Sequence, residues 1–260
     1  MILVLAGTKD GRLLTRNLAK AGYPVLASTV SLYGSLLLKE DGGEEVRFGP
    51  LDEEGLVNLI GEQGITMVID ATHPFATEVR QNGWVACNRL QIPWLRFERE
   101  GVSTDDLDNG TVINVDDMDG AIRVAASFSG NIFLTTGSSS VAVFAESLGP
   151  ERLVVRLLPD PAALQQCAYL GISPNRLIAM QGPFSTELNK ELFRHFKAAV
   201  VISKESGKTG GLPEKIAATA QLQIPMIIIG RPELPDGPVF TNDADLMDYV
   251  RRHFNKQTEP

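Results

Sequence analysis

The segment Met67-Val-Ile-Asp-Ala-Thr-His-Pro-Phe-Ala76 decides the fold of this chain. Its apolar start predicts a buried strand that runs into an acid, and a helical pattern follows over residues 75–90. Between them, Pro74 suits a first helical turn because it lacks the N–H that would have no partner there. Its ring also disfavours helical geometry at His73. In open α/β sheets ligands bind at such a strand–helix junction, so we expect Thr72 and His73 at the mouth of a crevice.

A purely structural interpretation of this segment is also open. Thr72 or His73 could cap the helix, and Asp70 could hold the turn through side-chain-to-backbone hydrogen bonds. The functional interpretation gains weight from a second polar loop, Ala6-Gly-Thr-Lys-Asp-Gly-Arg12, which follows the first strand. Two polar loops at strand ends of one sheet would converge on one crevice.

The composition restricts the class of protein. The chain has 260 residues, 43% hydrophobic and 22% charged, enough for one large or two small globular domains. Its net charge of −8 argues against a general nucleic-acid-binding surface. No apolar run approaches the roughly 20 residues that span a bilayer. Two cysteines, Cys87 and Cys167, are too few for a disulfide framework, and three scattered histidines predict no metal site. We therefore expect a cytoplasmic protein with a small-molecule ligand and neither a nucleic-acid nor a membrane partner.

Strand-like and helix-like segments alternate along the whole chain. This alternation predicts an α/β fold of two Rossmann-like lobes, each with a parallel sheet flanked by helices. We assign residues 1–98 to the first lobe and residues 111–260 to the second, and the polar residues 99–110 to the connection. The ligand is expected in a cleft between the lobes.

The loop after the first strand has the context of a phosphate site. It opens a helix, and the free backbone N–H groups and the dipole of a helix N-terminus favour an anion. Gly7 lets the backbone approach a ligand, and Thr8, Lys9 and Arg12 add donors, although the spacing is not G-x-G-x-x-G. The alternative is a tight glycine turn with solvated charges.

If the phosphate site takes a dinucleotide, the end of the second strand bears on which one. An acid there would hold the ribose 2′-hydroxyl of NAD. The chain has Ser28 and Thr29 instead, and no acid stands between Tyr23 and Leu38. We therefore expect NADPH as the cofactor, with NADH as the alternative.

Three polar loops follow strands in the second half. The first contributes Thr136, Gly137 and Ser138, and the second contributes Gln181. The third is the most polar and contributes Lys204, Glu205, Ser206, Gly207 and Lys208. Its Gly-Lys-Thr resembles a Walker A loop only weakly, because Ile202 stands where that loop needs a glycine. Each loop could instead be a helix-capping turn.

Taken together, these loops are similar to those of the precorrin-6A reductase family, which includes cobalt-precorrin-6A reductases. The resemblance covers nearly the whole chain and departs at Ala6, where the family often has Gly, and at Glu205, where it often has Asp. The matching stretches are Ala6-Gly-Thr-Lys-Asp-Gly-Arg12, Tyr33-Gly34, Asp70-Ala-Thr-His-Pro-Phe-Ala76, Pro93-Trp-Leu-Arg-Phe-Glu-Arg99, Thr136-Gly137, Gln181-Gly-Pro-Phe-Ser185, Lys204-Glu-Ser-Gly207, Gly210-Gly211, Lys215 and Arg231-Pro232.

The resemblance implies hydride transfer from a nicotinamide nucleotide to one double bond of a polycarboxylate tetrapyrrole, giving the 6B form in corrin-ring (vitamin B12) biosynthesis. A proton donor must then act at the adjacent carbon, and His73, Lys204 and Glu205 are unranked candidates. We assign the cofactor to Gly7, Thr8, Lys9, Arg12, Ser28, Thr29 and Thr72. We assign the substrate to Thr136, Gly137, Ser138, Gln181, Lys204, Ser206, Gly207 and Lys208.

Two other classes of protein stay open. A tetrapyrrole methyltransferase of the same pathway would also have two α/β lobes but would bind S-adenosylmethionine. A non-catalytic ligand sensor could use the same cleft. Whether the substrate contains cobalt, and the oligomeric state, are left open by the sequence.

Overall fold

The computed structural model of the chain describes residues 1–43, 45–98, 101, 110–233 and 235–254. The chain divides into two compact units. The first unit comprises Met1–Glu100 and Glu233–Pro260, and the second comprises Gly101–Pro232. Each unit contains one six-stranded parallel sheet. This confirms the predicted α/β fold class, whereas the predicted cleft between the lobes stays a prediction.

The elements alternate in the order that the sequence pattern indicates. The first half contains β1 (Ile2–Leu5), α1 (Lys9–Lys20), β2 (Val25–Thr29), α2 (Leu32–Glu40), β3 (Glu45–Phe48), α3 (Glu53–Glu62), β4 (Met67–Asp70), α4 (Thr77–Leu90) and β5 (Trp94–Phe97). The remainder contains β6 (Val112–Val115), α5 (Met118–Ala126), β7 (Asn131–Leu134), α6 (Val141–Leu148), β8 (Leu153–Leu157), α7 (Pro161–Tyr169), β9 (Leu177–Ala179), α8 (Thr186–His195), β10 (Ala198–Lys204), α9 (Leu212–Leu222), β11 (Met226–Ile229), β12 (Val239–Phe240) and α10 (Asp243–Phe254).

The sheet of the first unit has the strand order β3-β2-β1-β4-β5-β12. This is the order 3-2-1-4-5-6 of dinucleotide-binding folds, with β12 in the sixth place. Leu14 and Leu18 of α1 pack in a core on one face of the sheet together with Leu246 of α10. Leu56 of α3 belongs to the core on the other face. The sheet is therefore covered by helices on both sides.

The sheet of the second unit has the strand order β6-β11-β10-β7-β8-β9. Phe133 of β7 and Val201 of β10 pack in one core with Phe193 of α8 and Ile216 of α9. Because these strands run parallel, all of their carboxyl ends lie along one edge of the sheet.

The predicted extent of the second lobe, residues 111–260, is wrong at its C-terminal end. β12 pairs with β5 of the first unit, where the Arg96 N–H donates to the Pro238 carbonyl at 2.9 Å. α10 then buries Leu246 and Val250 in the core of the first unit. The edge strand β5 of the first unit has free hydrogen-bonding groups, and β12 pairs with them. The apolar face of α10 needs a core, and the first unit supplies it. The predicted connection, residues 99–110, lies outside the described residues except for Gly101 and Gly110.

Three local predictions also need correction. The second part of the predicted polar loop Ala6–Arg12 already belongs to α1, which begins at Lys9 because the Thr8 hydroxyl caps it by accepting from the Gly11 N–H at 3.0 Å. α2, which the sequence pattern did not predict, is capped in the same way by Ser31. α4 begins at Thr77, so Pro74 lies in the preceding turn rather than in the first helical turn.

Both cysteines belong to the buried core. Cys87 and Cys167 are buried free thiols, and burial raises the pKa of Cys87 to about 12. None of the described helices combines the length and the apolar composition needed to cross a membrane.

Candidate functional site

The first unit has a topological switch point between β1 and β4. The connection after β1 leads to β2 on one side, and the connection after β4 leads to β5 on the other side. Ligands of open α/β sheets bind at such points. Gly7 follows β1 and Thr72 follows β4, and a Cβ built on Gly7 would lie 3.8 Å from the Thr72 Cα. At Gly11 a Cβ would lie 3.0 Å from the Ala6 Cα, so a glycine is required for α1 to pack this closely. The two loops that the sequence singled out are therefore adjacent.

The Gly7–Arg12 loop uses part of its polar groups for its own structure. The Thr8 hydroxyl donates to the Ala71 carbonyl at 3.0 Å while it accepts from the Gly11 N–H, which ties the loop after β1 to the loop after β4. Arg12 forms an ion pair with Asp41, with 2.7 Å between Nε and Oδ2. Lys9 is exposed. The N-terminus of α1 and the Lys9 ammonium are thus the features of this loop that suit an anion.

Asp70 organises the loop after β4. Its carboxylate is fully buried, and Oδ1 accepts from the Thr72 N–H at 2.9 Å and from the Thr72 hydroxyl at 2.6 Å. Its Oδ2 pairs with Arg96 Nη1 at 2.9 Å and with Arg80 Nε at 3.3 Å. The structural interpretation of Asp70 as the residue that holds this turn is confirmed.

Arg80 extends this network to the backbone of the loop. Its Nη2 donates to the Pro74 carbonyl at 2.6 Å and to the His73 carbonyl at 3.2 Å. The proposed capping of α4 by Thr72 or His73 is wrong, because the N-cap is Ala76 without a side-chain hydrogen bond. Instead, His73 Nδ1 accepts from the Phe75 N–H at 3.3 Å. Two buried arginines thus fix Thr72 and His73 at the switch point.

The ends of β2 and β3 add a residue that sequence reasoning missed. Ser28 and Thr29 are buried, and Arg47 of β3 donates from Nη1 to the Ser28 hydroxyl at 3.0 Å. Burial lowers the pKa of Arg47. The signal in the sequence was a basic residue in the third strand, but its pairing with Ser28 depends on the β2–β3 register. A shallow pocket beside this pair is lined by Gly7, Ser28, Thr29, Val30, Gly49, Leu51 and Thr72.

The second unit has its own switch point, between β7 and β10. Thr136 follows β7, is buried, and accepts from the Ser140 hydroxyl at 2.7 Å. Gly137 has φ +80, a conformation that favours glycine, and Ser138 begins the next turn. Lys204 ends β10, the strand next to β7, so these two loops are neighbours. Gln181, in contrast, is exposed beyond β9, two strands away from β7.

The segment 204–211 is held in place by Glu205. Glu205 forms an ion pair with Arg231, and its Oε1 accepts from the Gly207 N–H at 3.2 Å. Lys204 is buried, and burial lowers its pKa. The Ser206 Oγ is buried without a hydrogen-bond partner among the described residues, whereas Lys208 is exposed. The switch point of the second unit therefore holds a buried cation and a buried hydroxyl two residues apart in sequence.

The three candidate proton donors fall in different units. His73 belongs to the first unit, and Lys204 and Glu205 belong to the second. Of these, Glu205 is engaged by Arg231, and burial lowers the pKa of Lys204.

The chain was compared with known proteins. A family model described as "Precorrin-6x reductase CbiJ/CobK" matches residues 1–251. A cobalt-precorrin-6A reductase from Methanothermobacter thermautotrophicus is 39% identical, over 100% of this chain and 86% of the relative. Another, from Priestia megaterium, is 38% identical over 95% of this chain and 96% of the relative. Among solved structures, "CobK precorrin-6A reductase" superposes with a TM-score of 0.78 at 25% identity, covering 97% of this chain and 96% of that one.

Proposed function

Since the chain belongs to the precorrin-6x reductase CbiJ/CobK family, we propose that it reduces one double bond of precorrin-6A or cobalt-precorrin-6A to give the 6B form. The observation that carries this proposal is the first sheet, whose strand order is that of dinucleotide-binding folds, together with a glycine loop at its switch point. A nicotinamide nucleotide supplies the hydride. We place the reaction in the cytoplasm, in keeping with the two free thiols.

The residues of the first unit fit a nicotinamide nucleotide. The N-terminus of α1 and the Gly7 backbone suit its pyrophosphate, with Lys9 as a further cation. Thr8 and Arg12 hold the loop rather than contact the phosphates directly, because Thr8 bonds to Ala71 and Arg12 pairs with Asp41. The Thr72 N–H and hydroxyl both donate to Asp70, which holds the Thr72 backbone at the same switch point.

We further propose that the cofactor is NADPH. Ser28 and Thr29 end β2 without an acid, and the Arg47 guanidinium lies against Ser28. A guanidinium suits a 2′-phosphate, which it can bind through two parallel hydrogen bonds. An acid would have been needed to hold the free 2′-hydroxyl of NADH.

The tetrapyrrole is assigned to the second unit. Its carboxylates need local cations in a chain of net charge −8, and Lys204 and Lys208 supply two. Thr136, Gly137 and Ser138 form the facing loop, and Ser206 and Gly207 complete the Lys204 segment. Gln181, at the end of β9, is expected to contact a peripheral part of the substrate.

Lys204 is the residue that we assign as proton donor. A buried ammonium with a lowered pKa releases its proton more readily near neutral pH than an ordinary lysine. Glu205 holds the segment through Arg231, and His73 is retained as the alternative donor. Lys204→Ala should lower kcat/KM for the tetrapyrrole by about ten- to a hundredfold and leave the Kd of NADPH nearly unchanged. Lys20→Ala, which removes an exposed lysine at the end of α1 outside the assigned site residues, is the control and should leave kcat/KM unchanged.

The decisive experiment is an NADPH oxidation assay with cobalt-precorrin-6A and, separately, precorrin-6A. Loss of the reduced-nicotinamide absorbance with formation of the 6B product supports the proposal. Consumption of S-adenosylmethionine instead would indicate a methyltransferase, and binding without turnover would indicate a sensor. Comparison of kcat/KM for NADPH and NADH tests the cofactor, and an equal or larger value for NADH would refute the NADPH assignment.

A further inference from the structure

Two buried cations of the second unit lie outside the loops described above. Arg156 of β8 is 6% exposed and Lys215 of α9 is 5% exposed. Arg156 Nη1 donates to Asn189 Oδ1 at 2.7 Å, and its guanidinium lies 4.3 Å from the centre of the Phe184 ring. Lys215 Nζ donates to the Ser203 hydroxyl at 3.0 Å. Each cation is thus held by a neutral partner.

The two cations converge on one face of the sheet, near its carboxyl edge. Val154 of β8 and Val201 of β10 share one core with residues of α8 and α9. Side chains alternate along a strand, so Arg156 and Ser203, two residues further on, face the same helices. Their proximity agrees with the pKa of Lys215, which burial, and then the charge of Arg156, lowers to about 7.

Neither cation of this pair, Arg156 or Lys215, forms an ion pair with a described residue. Two acids act on Lys215 from a distance, Glu214 and Glu205. Of these, Glu205 is paired with Arg231, and Glu214 Oε2 is buried without a hydrogen-bond partner among the described residues. Buried charges in proteins are normally paired, and the contacting partner that both cations lack would be an anion from outside the chain.

We propose that Arg156 and Lys215 together bind one carboxylate of the tetrapyrrole. The planar guanidinium can bind a carboxylate through two hydrogen bonds, and the ammonium adds a point charge. Asn189 and the Phe184 ring hold the guanidinium in one orientation, and Ser203 holds the ammonium. Arg156 lies on β8, the strand next to the one that carries the Thr136 loop, and Lys215 of α9 contacts Ser203, the residue before Lys204. The inference rests on the proposed function, from which it takes the ligand.

The test compares the charge-removing variants Arg156→Gln and Lys215→Met with Arg194→Gln, which removes an exposed arginine of α8. We expect KM for cobalt-precorrin-6A to rise by about ten- to a hundredfold in the first two variants, with the Kd of NADPH unchanged. The double variant should lose less than the product of the two single effects, because both groups bind one carboxylate. Arg194→Gln should behave as wild type.

Stability separates a binding role from a structural one. Without ligand, removal of an unbalanced buried charge should leave Tm unchanged or raise it, while the rise in Tm on adding the tetrapyrrole should be smaller than in wild type. A fall in Tm with KM unchanged would show that the pair is structural and would overturn the inference. A selective loss of NADPH affinity would also overturn it, by showing that the anion is a nucleotide phosphate.

These outcomes are distinct from failure of the proposed function. If wild-type protein did not oxidise NADPH, the reductase assignment would fall, but binding of cobalt-precorrin-6A followed by difference absorbance would still test the pair. Wild-type binding that survives both substitutions would overturn the inference alone.

Discussion

The Asp70 network allows one prediction to be worked out quantitatively. In Asp70→Asn the side chain keeps its size but loses its charge. Arg96 keeps a carboxylate partner, because its Nη2 lies 2.5 Å from Glu98 Oε2. Among the described residues, Arg80, which is 2% exposed, then keeps the carbonyls of His73 and Pro74 as its partners. The substitution therefore leaves one buried cation unpaired, and breaking a buried pair in this way costs about 3–5 kcal/mol.

A double-mutant cycle of Asp70→Asn and Arg80→Met tests whether these two residues pair with each other. Arg80→Met should cost less than Asp70→Asn, because Asp70 retains Arg96 as a partner at 2.9 Å. The double variant should recover part of the loss, with a coupling free energy of about 1–3 kcal/mol. As a control, Arg89→Met removes a pair with Glu54 whose side chains are 50% and 65% exposed, and it should leave the free energy of unfolding nearly unchanged.

Urea unfolding followed by tryptophan fluorescence is the suitable assay. Both tryptophans, Trp84 and Trp94, belong to the first unit, so their emission reports the unit that contains Asp70. The Kd of NADPH should rise in Asp70→Asn as well, since the loop that carries Thr72 and His73 loses its anchor. A loss below about 1 kcal/mol for Asp70→Asn, or strictly additive effects in the cycle, would refute the view that this carboxylate balances Arg80.

Two further predictions concern charge in each unit. Arg47→Met should lower kcat/KM with NADPH by about ten- to a hundredfold and leave kcat/KM with NADH nearly unchanged. The control is Lys39→Met, which removes an exposed lysine of α2. Equal losses with both nucleotides would contradict the role of Arg47. Lys215 has its folded-state pKa lowered to about 7 by burial and by Arg156, with Glu214 and Glu205 opposing, so the unfolded state binds more protons above that pH. The free energy of unfolding should therefore rise with pH from about 7 towards the ordinary lysine pKa. In Lys215→Met this rise should be absent. If the free energy of unfolding had the same pH dependence in both proteins, Lys215 would not be responsible for it.

The sequence by itself determined the fold class and the positions of the strand-end loops. The apolar run into Asp70, the break at Pro74 and the alternation of strands and helices are local patterns, and so are the caps. Ser185 is an example, because a hydroxyl that accepts from the N–H three residues later depends only on neighbouring backbone. Such interactions span only a few residues, which is why they can be read without a tertiary structure.

The tertiary structure decided which distant segments meet. β12 and α10 show the same short strand and amphipathic helix whichever sheet they join, and only the open edge of β5 assigns them to the first unit. Arg47 reaches Ser28 through the register of β2 with β3. Arg156 and Ser203 share a face because of the register of β8 and β10 with β7, the strand between them. The energy of a buried charge depends on what surrounds it in space, and residues far apart in the chain supply those surroundings. The polar groups that surround each buried cation could therefore be identified only from the assembled sheets.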